Sequence, residues 1–377
     1  MKIAIIAGPL GKYAGIERVV FSQSNHLASL GETVYIVSPR LRIEPGAVAA
    51  EVELRSLDNS KVGSGLGNIL GLAKLVREIK PDVCIANDLS SIVAGRFGRK
   101  LIHYSHGGHA FDPYATPIVG GTGRNHLRAV PLALSYHLTD LIIANSKWCM
   151  STFLTRDINA ESVYPGVDTQ LFRPLGRTSA RQELLNRSLM QDYLRDEDPL
   201  FLNVGWFRGN KRQELLVEAF KQVIRKYPKA KIAFIGRGWR LDEIWKIVKS
   251  YGLTESVIFS NEGINDHDLR LWYCSANAYV HMNDREHFGI PVAEALSCGV
   301  PGIVPDSGGP SEIIRNGITG FYYLSGNPTS LADTMVRMVK FEDYSRMRMA
   351  CREDAISKFD FSIAGKKLHS LIHTLAG

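Results

Sequence analysis

At 377 residues, 45% apolar and 22% charged, the chain is long enough for two domains with ordinary cores and has the composition of a globular protein. Its formal charge of +7 suits an anionic partner, but up to Arg173 it has 18 Lys/Arg against 14 Asp/Glu, and 27 against 24 after that, so no basic arm for nucleic acid stands out. No apolar run is long enough to span a bilayer, Met1–Ala7 is too short for a signal-peptide core, and the five cysteines lack any C-x-x-C pair; the expectation is a cytoplasmic protein without structural disulfides or zinc.

Short β-branched runs alternate with helical patterns along the chain. Lys2 to Ala7 reads as a buried strand. Glu17 to Leu30 places Val19, Val20, Ser24, Leu27 and Leu30 at helical spacing, with Gly31 as the stop. Strands follow at Thr33–Val37, Val83–Ala86, Ile102–Tyr104, Leu141–Ala144 and Ser162–Tyr164. The rhythm pauses between Phe172 and Pro199, which reads as a domain boundary, and restarts at Phe201–Val204. Further strands are predicted at Lys231–Ile235, Val257–Phe259, Ala278–Val280 and Gly302–Val304, with a helix over Glu214–Ile224. A repeated β-α unit implies parallel sheets covered on both faces. Two such doubly wound units in series allow a cleft at the carboxyl ends of their strands. The expected domains are 1–175 and 176–361, with an amphipathic last helix (362–377) returning to the first.

The most informative stretch is Glu286-His-Phe-Gly-Ile-Pro-Val-Ala-Glu294, then Ala-Leu-Ser-Cys-Gly299-Val-Pro301. It lies after a predicted strand and opens a helix, with Pro291 in the first turn, where a missing amide hydrogen costs nothing. A helix start beside a glycine offers N–H groups and a positive dipole end to a phosphate. Glu286 precedes the helix and Glu294 lies inside it, so the two carboxylates bracket whatever docks there. Each could clamp vicinal sugar hydroxyls. By composition alone these are two solvated glutamates on a surface element. The next segment of the chain counts against that: Gly299-Val-Pro301, a buried strand, then Gly308-Gly309-Pro310 opening another helix. Two main-chain-rich loops would then sit at the ends of adjacent strands.

Here the chain resembles glycosyltransferase family 4, whose signature is Glu, seven residues, Glu, then G-x-P and a strand ending in G-G. Other landmarks agree in order: Ala14-Gly15-Ile-Glu-Arg-Val-Val20, Asp140-Leu-Ile-Ile-Ala-Asn-Ser146, Tyr164-Pro-Gly-Val-Asp168 through Pro174, and Asn203-Val-Gly205 through Lys211. The resemblance covers nearly the whole chain. It implies the GT-B fold, an α/β protein of two facing Rossmann-like, doubly wound parallel-sheet domains. It also implies a retaining transfer from a nucleoside-diphosphate sugar to an acceptor hydroxyl, with no cofactor and no obligatory metal.

Carried over residue by residue, the resemblance places Glu294 on the ribose. Glu286 would meet the transferred sugar, with main-chain groups around Phe288, Gly289 and Ile290 beside it. Lys211 holds the lysine position of the diphosphate clamp. Trp206 stands where an arginine is usual, a departure that Arg208 could repair with its forked donors. Trp206 itself reads as a core or rim aromatic. Gly15 would approach the diphosphate from the first domain, and His106 matches the family's active-site histidine. The base would be met near Ile235-Gly236-Arg237 and Glu262-Gly263-Ile264. The acceptor is expected on the first domain, and the basic charge allows a lipid-linked or anionic acceptor and peripheral contact with an anionic membrane.

Rival readings are weaker on the residues. Gly8, Gly11 and Gly15 do not form the G-x-G-x-x-G of a nicotinamide enzyme, and Ser38-Pro39-Arg40 replaces its acidic residue. A glycosidase would use two carboxylates but has no need of phosphate-binding loops. His103, His106 and His109 could suggest a metal, but their loop has no carboxylate before Asp112. Asp266-His-Asp268 spells D-x-D, yet after Asn265 it reads as a helix cap. A non-catalytic sugar-nucleotide-binding protein of the same fold remains the alternative.

Overall fold

The computed structural model describes residues 1–11, 15–43, 46–57, 66–106, 137–151, 159–190, 194–260 and 264–377. The chain divides into two compact units, one of Met1–Gly166 with Phe361–Gly377, the other of Val167–Asp360.

Unit 1 is built on seven parallel strands: β1 (Lys2–Ile6), β2 (Thr33–Ser38), β3 (Glu53–Ser56), β4 (Val83–Ala86), β5 (Lys100–Ser105), β6 (Leu141–Ala144) and β7 (Ala160–Ser162). Their order is β3-β2-β1-β4-β5-β6-β7, with Ile3 opposite Val34 on one side and Val83 on the other. Ile3, Ile5, Ile85 and Ile143 are fully buried, as a parallel sheet covered by helices requires. β3 escapes a sequence reading because Glu-Leu-Arg-Ser lies exposed on the sheet edge, paired only to β2, and needs no apolar pattern. β7 runs over Ala160–Ser162, earlier than the expected Ser162–Tyr164. The helix Phe361–Ala376 packs on the helix Gly15–Ser29 and so belongs to unit 1.

Unit 2 has six parallel strands: β8 (Leu200–Val204), β9 (Lys231–Ile235), β10 (Val257–Ser260), β11 (Ala278–Val280), β12 (Gly302–Pro305) and β13 (Gly320–Tyr323). Their order, β10-β9-β8-β11-β12-β13, is the doubly wound one, and the winding reverses between β8 and β11. β13 is the second edge strand that the residue pattern does not reveal. One face of the sheet is filled by Phe207, Phe234 and Phe259, with ring centroids 5.4 to 5.9 Å apart.

The boundary lies at Gly166/Val167, before the expected residue 175, and the hydrogen bonds show why. Val167 N–H donates to the Phe359 carbonyl at 2.7 Å, Arg352 to the Phe172 carbonyl at 2.9 Å, and Arg270 to the Arg173 carbonyl at 2.8 Å. The Pro-Gly-Val-Asp segment therefore straddles the boundary, and Val167 through Pro174 belong to unit 2. Nor is 172–199 a structureless connector, because it holds the helix Arg177–Asn186. Arg181 on that helix is 1% exposed and donates to the Ser275 and Asp198 carbonyls, both at 3.0 Å. Desolvation brings its guanidinium down to about 10. Among the described residues no helix is long and apolar enough to cross a membrane. The five cysteines are buried free thiols.

Candidate active site

In a doubly wound sheet the loops leaving the carboxyl ends part at the reversal of strand order, which opens a crevice there. β8 leads there into Gly205-Trp206-Phe207-Arg208, and β11 into His281 through Glu286. Residues 75 apart in sequence meet: Lys211 Nζ donates to Glu286 Oε2. The same oxygen accepts from Asn283 Nδ2 at 3.1 Å, and His281 Nε2 stands 3.8 Å away. Burial alone would raise the Glu286 carboxyl. The Lys211 ammonium, followed by His281, outweighs burial and brings it down to about 2. His281 is buried and pushed down to about 4 by desolvation, so it is neutral at pH 7. The sequence singles out neither Asn283 nor His281, since a lone polar residue after a strand carries no signal.

A second pair backs the first. Arg212 Nη1 donates to Asp284 Oδ2 at 2.8 Å. Arg212 sits at φ 53°, a left-handed position that costs a side-chain-bearing residue roughly 1–2 kcal/mol. Strain of this kind persists only where the surroundings hold it, and here it lies next to Lys211.

Glu286 leads into Gly289, whose φ of 97° lets the chain turn into the helix Ile290–Ser297. Phe288 is a buried anchor, edge-on to Phe359 at 5.8 Å, so its main chain rather than its ring is placed to bind. Ile290 opens the helix. Glu294, 3% exposed, accepts from the Tyr273 hydroxyl at 2.6 Å. The loop after β12 closes on the same element, Gly309 N–H donating to the Glu286 carbonyl at 2.8 Å. On the other side, a Cβ on Gly236 would lie 2.0 Å from the Gly205 carbonyl oxygen, so only glycine lets the loops after β8 and β9 touch.

Two family patterns match the chain: residues 13–171 match Glycosyltransferase Family 4, and residues 187–358 match Glycosyl transferases group 1. The chain belongs to this glycosyltransferase family. It is 26% identical over 200 residues to N-acetyl-alpha-D-glucosaminyl L-malate synthase of Bacillus anthracis, covering 53% of this chain and 49% of that one. It is 30% identical over 197 residues to D-inositol 3-phosphate glycosyltransferase of Frankia alni, covering 50% and 46%. It therefore spans about half the length of the curated relatives it matches. The crystal structure of Anabaena Alr3699/HepE in complex with UDP and glucose superposes with a TM-score of 0.79 at 18% identity, covering 99% of this chain and 100% of that one. The fold is GT-B.

Trp206 stands where the resemblance leads one to expect an arginine, and the ring's surroundings are informative. It is half-buried, with the Arg208 guanidinium 4.8 Å and the Arg237 guanidinium 5.1 Å from its centroid. Trp206 is thus a rim aromatic holding two cations. The sequence reading gives Arg237 a part only through its main chain. Ile264 is half-buried; Glu262 and Gly263 lie outside the described residues.

In unit 1, Gly15 is exposed at the start of its helix. His106 follows β5, and its Nε2 lies 2.7 Å from Asn87 Oδ1; Asn87 in turn donates from Nδ2 to the Ile6 carbonyl at 3.1 Å. The asparagine thus presents an acceptor to His106 and places the proton on Nε2. His103 is a core residue instead, its Nδ1 bonded to the Ala86 carbonyl at 3.1 Å and its ring pushed down to about 4 by burial. His109 and Asp112 lie outside the described residues. The D-x-D triplet forms the first turn of a helix that Asn265 caps: Asn265 Oδ1 accepts from Asp268 N–H at 2.9 Å, and Arg187 donates to Asp268 Oδ1 at 2.9 Å.

Proposed function

We propose that the chain is a retaining glycosyltransferase that moves a hexose-type sugar from a nucleoside diphosphate to an acceptor hydroxyl, in the synthesis of a cell-envelope glycan or glycoconjugate. The observation that carries this is the Lys211–Glu286 pair at the reversal of the second sheet, with Glu294 one helix further on. An ammonium paired with a carboxylate offers an incoming donor two partners to exchange. The diphosphate takes Lys211, and sugar hydroxyls take Glu286. Glu294 then meets the ribose. As the sugar–phosphate bond breaks, negative charge grows on the leaving diphosphate, and Lys211 and Arg208 stabilise it where it develops. Attack comes from the face the phosphate leaves, and the phosphate takes the acceptor proton. That route asks no metal of the protein, because cations and a helix start meet the charge. A nucleotide-sugar donor agrees with the UDP and glucose named for the Anabaena neighbour. The chain's basic charge suits a lipid-linked or anionic acceptor at a membrane face.

Thermal shift with UDP, GDP and ADP, followed by turnover of the matching sugar nucleotides, tests the reading. One diphosphate should raise the midpoint, since a ligand held only by the folded state stabilises it by mass action. Its sugar nucleotide should then be consumed only with acceptor or water. Binding without turnover of any sugar nucleotide would favour a non-catalytic protein of the same fold.

A further inference from the structure

The helix Phe361–Ala376 carries His369 and His373 four residues apart, hence on one face. That face meets Glu32, the residue just before β2. His369 Nε2 and His373 Nε2 each lie 2.8 Å from Glu32 Oε1 and 3.0 Å from one another. The other oxygen, Glu32 Oε2, accepts from the Met1 amino nitrogen at 2.6 Å. The Glu32 side chain is 6% exposed, His369 27% and His373 49%, so the cluster is seated at its base and open at its rim.

We propose that Glu32, His369 and His373 form a binding site for a divalent transition metal of the zinc class. Two imidazole nitrogens and one carboxylate oxygen are a donor set such ions take, and histidines at i and i+4 on a helix are a recurrent way to supply two of them. The spacing fits. A point about 2.05 Å from all three atoms, the usual length of a zinc–nitrogen or zinc–oxygen bond, stands about 1.2 Å out of their plane, and a spread of the three atoms by about 0.4 Å would bring the angles to tetrahedral. A fourth position is then free for water. Hydrogen bonds serve the cluster less well. Two nitrogens 3.0 Å apart cannot bond each other while both donate to one oxygen, whereas a cation takes all three lone pairs at once.

The place indicates a structural role. Glu32 stands at the amino edge of the parallel sheet, beside Thr33, whose N–H donates to the Met1 carbonyl at 3.0 Å. His106 and Asn87 stand at the carboxyl edge of the same sheet, after β5 and β4. A metal here would tie the last turns of the final helix to the start of β2, within unit 1.

The test uses the full chain without a histidine tag, stripped with chelator, and titrated calorimetrically with ZnCl2. One equivalent should bind, and the thermal midpoint should rise with Zn2+. Co2+ should give the absorption of a four-coordinate ion. His373→Gln and Glu32→Gln should each weaken Zn2+ at least tenfold and abolish the thermal shift, while His267→Gln on the exposed start of another helix should change nothing. His373 is half exposed, so its variant folds. Less than one equivalent at micromolar Zn2+, or an affinity unchanged in Glu32→Gln, would overturn the three-residue site.

Discussion

Where the strand order of unit 2 reverses, the carboxyl-edge loops set full opposite charges against each other, Lys211 on Glu286 and Arg212 on Asp284. Where that of unit 1 reverses, between β1 and β4, the described contacts are milder. There, the Gly8 N–H donates to Asp88 at 2.6 Å, and Asn87 holds His106 at 2.7 Å. Both sheets are parallel and both loops leave carboxyl ends, so topology offers the same location twice. What differs is what the loops carry. A site for a diphosphate needs cations already in place, held by carboxylates until the ligand displaces them. A site for a hydroxyl acceptor needs a hydrogen-bonding group of fixed tautomer.

The sharpest way to break this contrast is Lys211→Ala. Turnover at saturating donor should fall by about 100- to 1000-fold, the loss typical of removing one preorganised charge partner. The protein should stay folded but with a lowered melting temperature, because the half-buried Glu286 carboxylate loses the ammonium that offsets its burial. Near-normal turnover would take the charged edge out of the reaction.

The pH profile sharpens the same point. With its carboxyl lowered to about 2, Glu286 stays ionised throughout the neutral range. The stability it contributes is present above the ordinary carboxylate value and lost only as pH falls through about 2. It should therefore add no acid limb to turnover above about pH 4. In Lys211→Ala, burial is no longer opposed by the ammonium, and the limb should move upward. An unshifted limb would deny that Lys211 sets the charge of Glu286.

Glu294→Ala removes the acceptor of the Tyr273 hydroxyl in a buried place, which should cost about 1–3 kcal/mol in denaturant unfolding and raise the donor KM. Tyr273→Phe should cost less on both counts. On the unit 1 side, His106→Ala should lower turnover by about tenfold, the worth of one positioned hydrogen bond, with the donor KM unchanged. A rise in donor KM instead would erase the division of labour between the edges. Least of all, Arg187→Ala breaks an exposed pair with Asp268 and should leave the unfolding midpoint essentially where it is.

Much of this was legible in the residues. The buried strands β1, β4, β9 and β11 declare themselves through apolar runs, and Glu286 and Glu294 stand out in the loop-helix pattern around them, whereas Lys211 is singled out only by the family resemblance. β3 did not declare itself, because its exposed Glu-Leu-Arg-Ser needs no apolar alternation, and β13 did not, because Gly-Phe-Tyr-Tyr, though mostly buried, is too short a run to stand out. The helix Arg177–Asn186 was hidden by its charge, since one of its buried side chains, beside Ala180 and Leu184, is an arginine whose donors find carbonyl and amide oxygens.

By itself, then, the order of residues determined that two parallel sheets form and which loops carry the carboxylates, because both depend on local periodicity and spacing. Tertiary structure alone decided the partners. Asn283 and His281 beside Glu286, Tyr273 on Glu294, Arg237 on Trp206, and Glu32 between two histidines more than 300 residues away all depend on which strand lies next to which and which helix returns where. Such contacts join distant stretches of chain, and no period or spacing in the sequence records them.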